Sequence, residues 1–568
     1  MLSLTIKVIV SSPNWLPMKN LIPFFLVVIA FFAFSDCYAA SPTKKEILEF
    51  LKLQNKDHNV VLDFKERFGD RLTNVDFSGL DLGKVTFDGM IIENSSFDRA
   101  VFTSLTIKNS VVNNSTFYST IIYKGHIVSS QLDGVSIIES DLNNTQIEKS
   151  ELKNVRILKT HAPSLILDDS KLNSIIIRNS DILEAKFGRT VLAESEISGS
   201  DLSNMRMEDS KITDSRLTVS KLINAKMSKS TLTNSTLHGI ELSGSHMRDT
   251  QIFSSEITNS DLHRSRLYNC HLEKVSMLNT DFGYASVEGT SFIKADFSSA
   301  SLEGLHIGSA TFSECCLCNF SSQNITIDSS AITHSSISNV KLYDSEIADT
   351  SLKDSSIANL SISNSGFLDT VLLDVNGKSI AIKHTQIDSL LLQGDFSDIT
   401  IEDSQIVKSS LRNLKLQLLW LLHSHINNTQ VQDGTISKSN FLANTFIDSS
   451  VDNLTIAKSS FTENNFVGTN VGNISFTKTL FTEKFIEGVS SKLAQMGAIV
   501  GLSNFEKLIA SGTYDFTDVN YSNIDFSKID LGKVNFKGAI LRENIFSENK
   551  LHDVDLTKAD LEGSTFHK

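Results

Sequence analysis

The chain is poor in the residues that usually announce chemistry. Its 568 residues include five cysteines, five prolines and two tryptophans. The fourteen histidines form no HExxH or related metal motif, and no G-x-S-x-G nucleophile elbow occurs. Asp and Glu are scattered so evenly that no catalytic carboxylate pair stands out. Excess positive charge is missing too. The formal net charge is −14, a mild value over this length that argues against nonspecific nucleic-acid binding. Neither the 3.6-residue period of an amphipathic helix nor the two-residue period of an ordinary strand organises the apolar residues. These absences point away from an enzyme, and no catalytic residue, cofactor or metal site is expected.

What is present is a five-residue beat. An apolar centre recurs from Phe77 through Leu82, Phe87, Ile92 and Phe97 to Ile387 and Leu392. It resumes one residue out of phase at Phe396, holds to Ile486, and returns from Phe516 to Phe566. Two residues before most centres stands something small, as at Ser95, Ala100, Ser110, Ser115 and Thr120. The other three positions are polar. One large and one small inward residue per five cannot close a core locally, so successive units must stack.

Stretches such as Ser200-Asp201-Leu202-Ser203-Asn204, Ala295-Asp296-Phe297-Ser298-Ser299 and Ala559-Asp560-Leu561-Glu562-Gly563 carry the unit clearly. This unit resembles the pentapeptide-repeat family over most of Phe77–Phe566. The resemblance implies an all-β solenoid, a right-handed four-sided β-helix with one pentapeptide per side and about twenty residues per coil. The chain carries its own sign of four sides. Larger residues take the small position at twenty-residue intervals, at Val135, Val155 and Ile175, at Phe320, Val340, Leu360 and Ile380, and at Leu414, Leu454 and Ile474. Counting every centre and allowing ~4.8 Å per coil gives a rod on the order of 110 Å long.

The beat falters in four places, read as bulges or kinks. Pro163 follows the centre Ala162 and has no N–H for a ladder. Ser322 occupies a centre, with Phe320 placed to fill the gap. Gly377 is an empty centre in the turn-like Val375-Asn376-Gly377-Lys378. One residue is missing from the register near 393–395.

Outside the repeats, Lys19-Asn20 leads into the apolar run Leu21–Phe34, then Ser35-Asp36-Cys37-Tyr38-Ala39-Ala40. This describes a signal peptide over 1–39, cut between Ala39 and Ala40. Met18 is an alternative start, and an uncleaved membrane anchor is the alternative reading of the run. The expected organisation continues with an N-terminal helical cap over 40–71, where Thr43 and Glu46 have capping-box spacing. The main β-helix covers 72–486, a helical interruption covers 487–515, and a second short repeat segment covers 516–568. The motif Asp530-Leu531-Gly532-Lys533-Val534-Asn535-Phe536 echoes Asp81-Leu82-Gly83-Lys84-Val85-Thr86-Phe87, suggesting internal duplication.

Cys270 and Cys315 fall at the small inward position, whereas Cys316 and Cys318 flank Leu317 and should face outward, where a disulfide within Cys315–Cys318 is one option. The run Leu416-Gln417-Leu418-Leu419-Trp420-Leu421-Leu422 directs Leu418, Trp420 and Leu422 outward, with Leu442 one coil beyond Leu422. Such an apolar row is either an association surface or is covered by a neighbouring segment.

The leading functional expectation is an exported, periplasmic or extracellular, non-enzymatic β-helix that binds a protein partner, with a homo-oligomer as an option. No nucleic acid is expected, and membrane contact only through an uncleaved leader. The family resemblance implies an alternative, an acidic DNA mimic that binds a DNA topoisomerase. A secreted effector or a carbohydrate-active β-helix enzyme completes the alternatives.

Overall fold

A computed structural model describes residues 41–54, 60–482 and 490–568. The leader, including Ala39 and Ala40, lies outside the described residues. From Arg71 onward short strands stack in parallel at a twenty-residue register: Leu132 pairs with Leu152, Leu152 with Leu172, and Leu172 with Leu192. The columns through Ile137, Leu142 and Ile147 advance by the same twenty residues. Four columns per coil make the four-sided solenoid that the beat implied.

Two features explain why this composition turns corners every five residues. The corner residue adopts a left-handed conformation, as at Asn144, Lys149, Asn154 and Lys159 with φ of 51°, 51°, 53° and 51°. Asn and Asp enter that region at least cost, which accounts for their abundance there. The small inward serines do more than save space. The Ser110 N–H donates to Ser130 Oγ at 3.2 Å, Ser130 N–H to Ser150 Oγ at 3.2 Å, and Ser150 N–H to Ser170 Oγ at 3.2 Å. Each hydroxyl in turn donates to a carbonyl two residues earlier, as Ser150 Oγ does to Glu148 at 2.7 Å. The serine column therefore satisfies corner amides that would otherwise be buried without partners.

Helix α1 (Lys44–Gln54) and helix α2 (Phe64–Phe68) close the first coil. The Thr43 N–H donates to Glu46 Oε2 at 2.7 Å and the Glu46 N–H returns to Thr43 Oγ1 at 3.3 Å, forming the capping box. Phe64, fully buried, sets its ring 5.6 Å from Phe77 and 5.2 Å from Phe87. Phenylalanine stacking then continues along the axis, Phe77 to Phe97 and Phe97 to Phe117, each at 4.6 Å.

The interior changes character further on. An apolar void of about 300 Å³ runs through the coils between Leu302 and Leu493, lined by side chains such as Ile347, Phe367, Leu372 and Ile382. Leu372 and Ile382 point inward yet are only half-buried, because they face this void. In the earlier coils the corresponding gap near Met207 is about 20 Å³.

The four faults resolve differently from one another. Pro163 causes no kink. Its equivalent two coils on, Ser203, gives its N–H to its own turn's Asp201 at 2.9 Å and not to a neighbouring coil, so proline loses nothing there. Ser322 is buried with its hydroxyl unpartnered, and Phe320 enters the void beside it. Gly377 is not in a turn but inside the strand Val371–Lys383, where the Phe396 ring lies in the space a Cβ would take. The missing residue shortens one coil, with register shifts beside Leu372 and Leu392 absorbed at Gly394, φ 144°, whose missing Cβ lets it meet the Val375 carbonyl.

The segment read as one helical interruption is only partly helical. Helix α3 (Ser490–Gln495) and helix α4 (Leu502–Ala510) flank a strand, Ile499–Val500, that pairs with Leu480–Phe481 as a further rung. Leu493 joins the main core, whereas Phe505 and Ile509 join a second one. The last repeats rebuild the twenty-residue register, Asp515 to Asn535 to Asp555 and Asn520 to Ile540 to Asp560. In the echoed motif the Asp-to-Gly bond recurs, Asp81 accepting from the Gly83 N–H at 3.1 Å and Asp530 from the Gly532 N–H at 3.0 Å. The left-handed residue differs, however: it is Gly83 in the first, inside a strand, and Lys533 in the second.

Candidate functional site

The outward row Leu418, Trp420, Leu422 and Leu442 is half-buried throughout. Trp420 pairs with Asn440 and Leu422 with Leu442 in register, so they form one flat strip along the rod. The strip is not open. The Arg542 guanidinium stands 5.6 Å from the Trp420 ring centroid, and that same guanidinium meets Asp560 at 2.7 Å and Glu562 at 3.0 Å. The last repeats thus cover the tryptophan, in place of helix 487–512 or a loop.

This contact is one end of a longer dock. Asp515 meets Lys478 at 2.8 Å, and Asp518 lies 3.7 Å from Lys458 and 3.9 Å from Lys438. The Asn520 N–H donates to the Lys458 carbonyl at 2.9 Å and its side-chain amide to the Lys438 carbonyl at 3.1 Å. The Tyr521 hydroxyl donates to the Lys478 carbonyl at 2.9 Å, and the Asn440 amide donates to the Ser522 carbonyl at 2.9 Å. Outward residues Asn440 and Ser460 are consequently fully buried. Contact positions 478, 458, 438 and 420 belong to successive coils. The last repeats therefore run back along the rod's flank and do not lengthen it, which shortens the rod below the length expected from counting all centres.

Electrostatics reinforces the dock. The Lys478 ammonium, followed by the Thr517 hydroxyl and N–H, holds the Asp515 carboxyl down at about 2. Burial pushes the Tyr521 hydroxyl far above its usual range, so it remains a donor.

The other sequence candidates fall as follows. Cys316 and Cys318 form a disulfide in which Cys316 is half-buried and Cys318 buried, while Cys270 and Cys315 are buried free thiols at the small inward position. Burial pushes the Cys270 thiol up to about 11, which makes it inert. Among the described residues no group of three or more His, Cys, Asp or Glu is placed to hold a metal ion, and no helix is long and apolar enough to cross a membrane. Sequence reading missed the docking amides of Asn440, Asn520 and Asn523, the last donating to Asn440 Oδ1 at 3.3 Å, because they look like any polar filler of the repeat.

A family model described as pentapeptide repeats matches residues 210–249 and 515–567 in eight copies. No curated protein matches the chain in sequence. Among solved structures, HetL, a pentapeptide repeat protein involved in heterocyst differentiation regulation from the cyanobacterium Nostoc sp. strain PCC 7120, is 14% identical with a TM-score of 0.17. That match covers 46% of this chain and 96% of HetL. QnrB1, a plasmid-mediated fluoroquinolone resistance protein, is 11% identical with a TM-score of 0.20, covering 34% of this chain and 94% of its own. The PL6 family alginate lyase AlyGC is 9% identical with a TM-score of 0.24, covering 74% and 98%. None of these likenesses lends a site or an activity. The five-residue unit that the family model matches in 210–249 and 515–567 is the unit whose register the stacked columns follow, so the chain carries pentapeptide repeats in those two stretches.

Proposed function

We propose that the protein is an exported, non-enzymatic β-helical scaffold that presents a protein-binding surface. The observation that carries this reading is the rigidity of its outward columns. Asn339 donates to Asn319 at 2.7 Å and Asn359 to Asn339 at 2.8 Å, an exposed amide ladder held at the spacing of the coils. Surface side chains fixed in this way have little conformational freedom left to lose on binding. Exposed apolar side chains on the same framework, Tyr123 at 53%, Tyr284 at 51% and Val219 at 71%, offer anchors that the docked repeats leave open.

Export rests on the leader's composition alone, so the test begins with fractionation. Recovery outside the cytoplasm with residues 1–39 removed supports the reading, and affinity capture from that compartment should then depend on Tyr123 and Tyr284. Cytoplasmic recovery with an intact leader would overturn it and favour the acidic DNA mimic instead.

A further inference from the structure

One column of this acidic protein carries no acidic residue over five successive coils, with four Lys or Arg and one His. Lys186, Arg206, Lys226, His246 and Arg266 each stand one residue before a centre and pair with one another in register. All five are exposed. At ~4.8 Å per coil they form a straight row ~19 Å long.

Elsewhere, charges on neighbouring coils compensate each other. Lys159 meets Glu139 at 3.3 Å, Lys383 meets Glu402 at 2.6 Å, Lys415 meets Asp395 at 3.2 Å and Arg189 meets Asp169 at 2.7 Å. No such pair relieves the basic column among the described residues. Like charges directly opposite one another destabilise a sheet, so the column opposes folding in the absence of a ligand. Its effect reaches His246: lost solvation first, then Arg266 and Lys226, hold the imidazole below its usual range.

The surroundings narrow the ligand. Two residues further along the same face stand Gly188, Glu208, Ser228, Arg248 and Tyr268, with one carboxylate among them. On the preceding face the same coils carry Asp181, Asp201, Lys221, Glu241 and Asp261, of which Asp201 and Asp261 turn their carboxylates onto the N–H groups of Ser203 and His263. A ligand for the column must therefore be linear, must repeat its negative charge at short intervals, and must not need aromatic platforms. The strands of duplex nucleic acid wind away from a straight row. Single-stranded nucleic acid relies on stacking, and the ring of Tyr268 already carries the Arg248 guanidinium at 5.0 Å. A polyuronate, with one carboxylate per sugar along an extended chain, meets all three conditions.

We propose that this column is a binding site for a linear polyuronate lying along the rod axis. The site is separate from the protein-binding surface proposed above and stands or falls without it. The experiment is titration of the full-length protein with polygalacturonate at low salt, monitored by calorimetry and by retardation in a polygalacturonate gel. Neutralising the column by Lys186→Gln, Arg206→Gln, Lys226→Gln and Arg266→Gln together should weaken binding about tenfold or more and flatten its salt dependence. Neutralising Lys124, Lys341, Lys533 and Lys558 removes the same formal charge elsewhere and should change binding less than threefold. Lys226→Glu alone, with a thermal melt to confirm folding, gives a second reading if the fourfold variant is poorly made. Absence of binding, or an equal loss in both fourfold variants, overturns the proposal. A thymidine oligonucleotide that displaces polygalacturonate and binds the column more tightly overturns the ligand class.

Discussion

The Lys478 ammonium lies 2.8 Å from the Asp515 carboxylate and fastens the start of the last repeats to the flank of the rod. Because this pair sits at the surface, its contribution is modest and screened by salt. Its titration is nevertheless informative. Asp515 is held at about 2 in the folded protein, against about 3.9 in an unfolded chain. A depressed carboxylate stabilises above its unfolded value and loses that contribution as pH falls. The dock should therefore be intact at pH 5 and loosen between about 4 and 2. Hydrogen exchange at residues 515–523 as a function of pH checks this, and Asp515→Asn should remove part of the dependence.

Arg542→Ala should weaken the dock by about 1 kcal/mol, the scale of a partly exposed cation–π contact. Trp420 is one of two tryptophans in the chain, the other being Trp15. In a Trp15→Phe background, Trp420 emission reports the cover directly. The expected result is a red shift with faster proteolysis in the region 510–515. An unchanged spectrum in Arg542→Ala would count against the contact.

Ser150→Ala should cost about 1–3 kcal/mol although it removes a single oxygen, because the Ser130 N–H loses its acceptor. Ser150→Thr retains the hydroxyl and should cost less. Thr290 already plays this role, accepting from the Cys270 N–H at 3.3 Å and donating to the Glu288 carbonyl at 3.1 Å. Denaturant midpoints of the two variants, compared at equal slope, provide the check.

Ile347→Phe should stabilise the hollow half by about 1 kcal/mol. Ile347 lines the void and stands in register with Phe367, so the new ring can stack as Phe446 does on Phe466 at 4.6 Å. The same substitution at Ile92, which is fully buried in the tightly packed first half, should destabilise. Opposite signs at the two positions are the expected outcome in parallel thermal melts.

Most of the fold was legible because a solenoid repeats one local decision. The centres, the small inward residues, the twenty-residue interval from Val135 to Val155 to Ile175 and the Thr43–Glu46 capping box each carry their own signal. Three things were not legible, for different reasons. Ile499–Val500 is too short an apolar stretch for its period to distinguish strand from helix. The void depends on summed side-chain volumes across four sides, and no single residue in 302–493 reports it. The covering of Trp420 depends on Asn440, Asn520 and Arg542, outward polar residues whose partners are distant in sequence. Of the two readings the sequence left open for the row, Trp420 meets a segment of the chain itself, through Arg542.

The uneven interior has a consequence that heat and denaturant would not single out. Hydrostatic pressure favours whichever state eliminates empty volume. A void of about 300 Å³ between Leu302 and Leu493, against about 20 Å³ near Met207, makes one half of a nearly uniform rod far more compressible than the other. Under pressure the coils past Leu302 yield first, while the phenylalanine-filled N-terminal coils hold. A molecule that looks monotonous from outside thus contains a mechanical boundary.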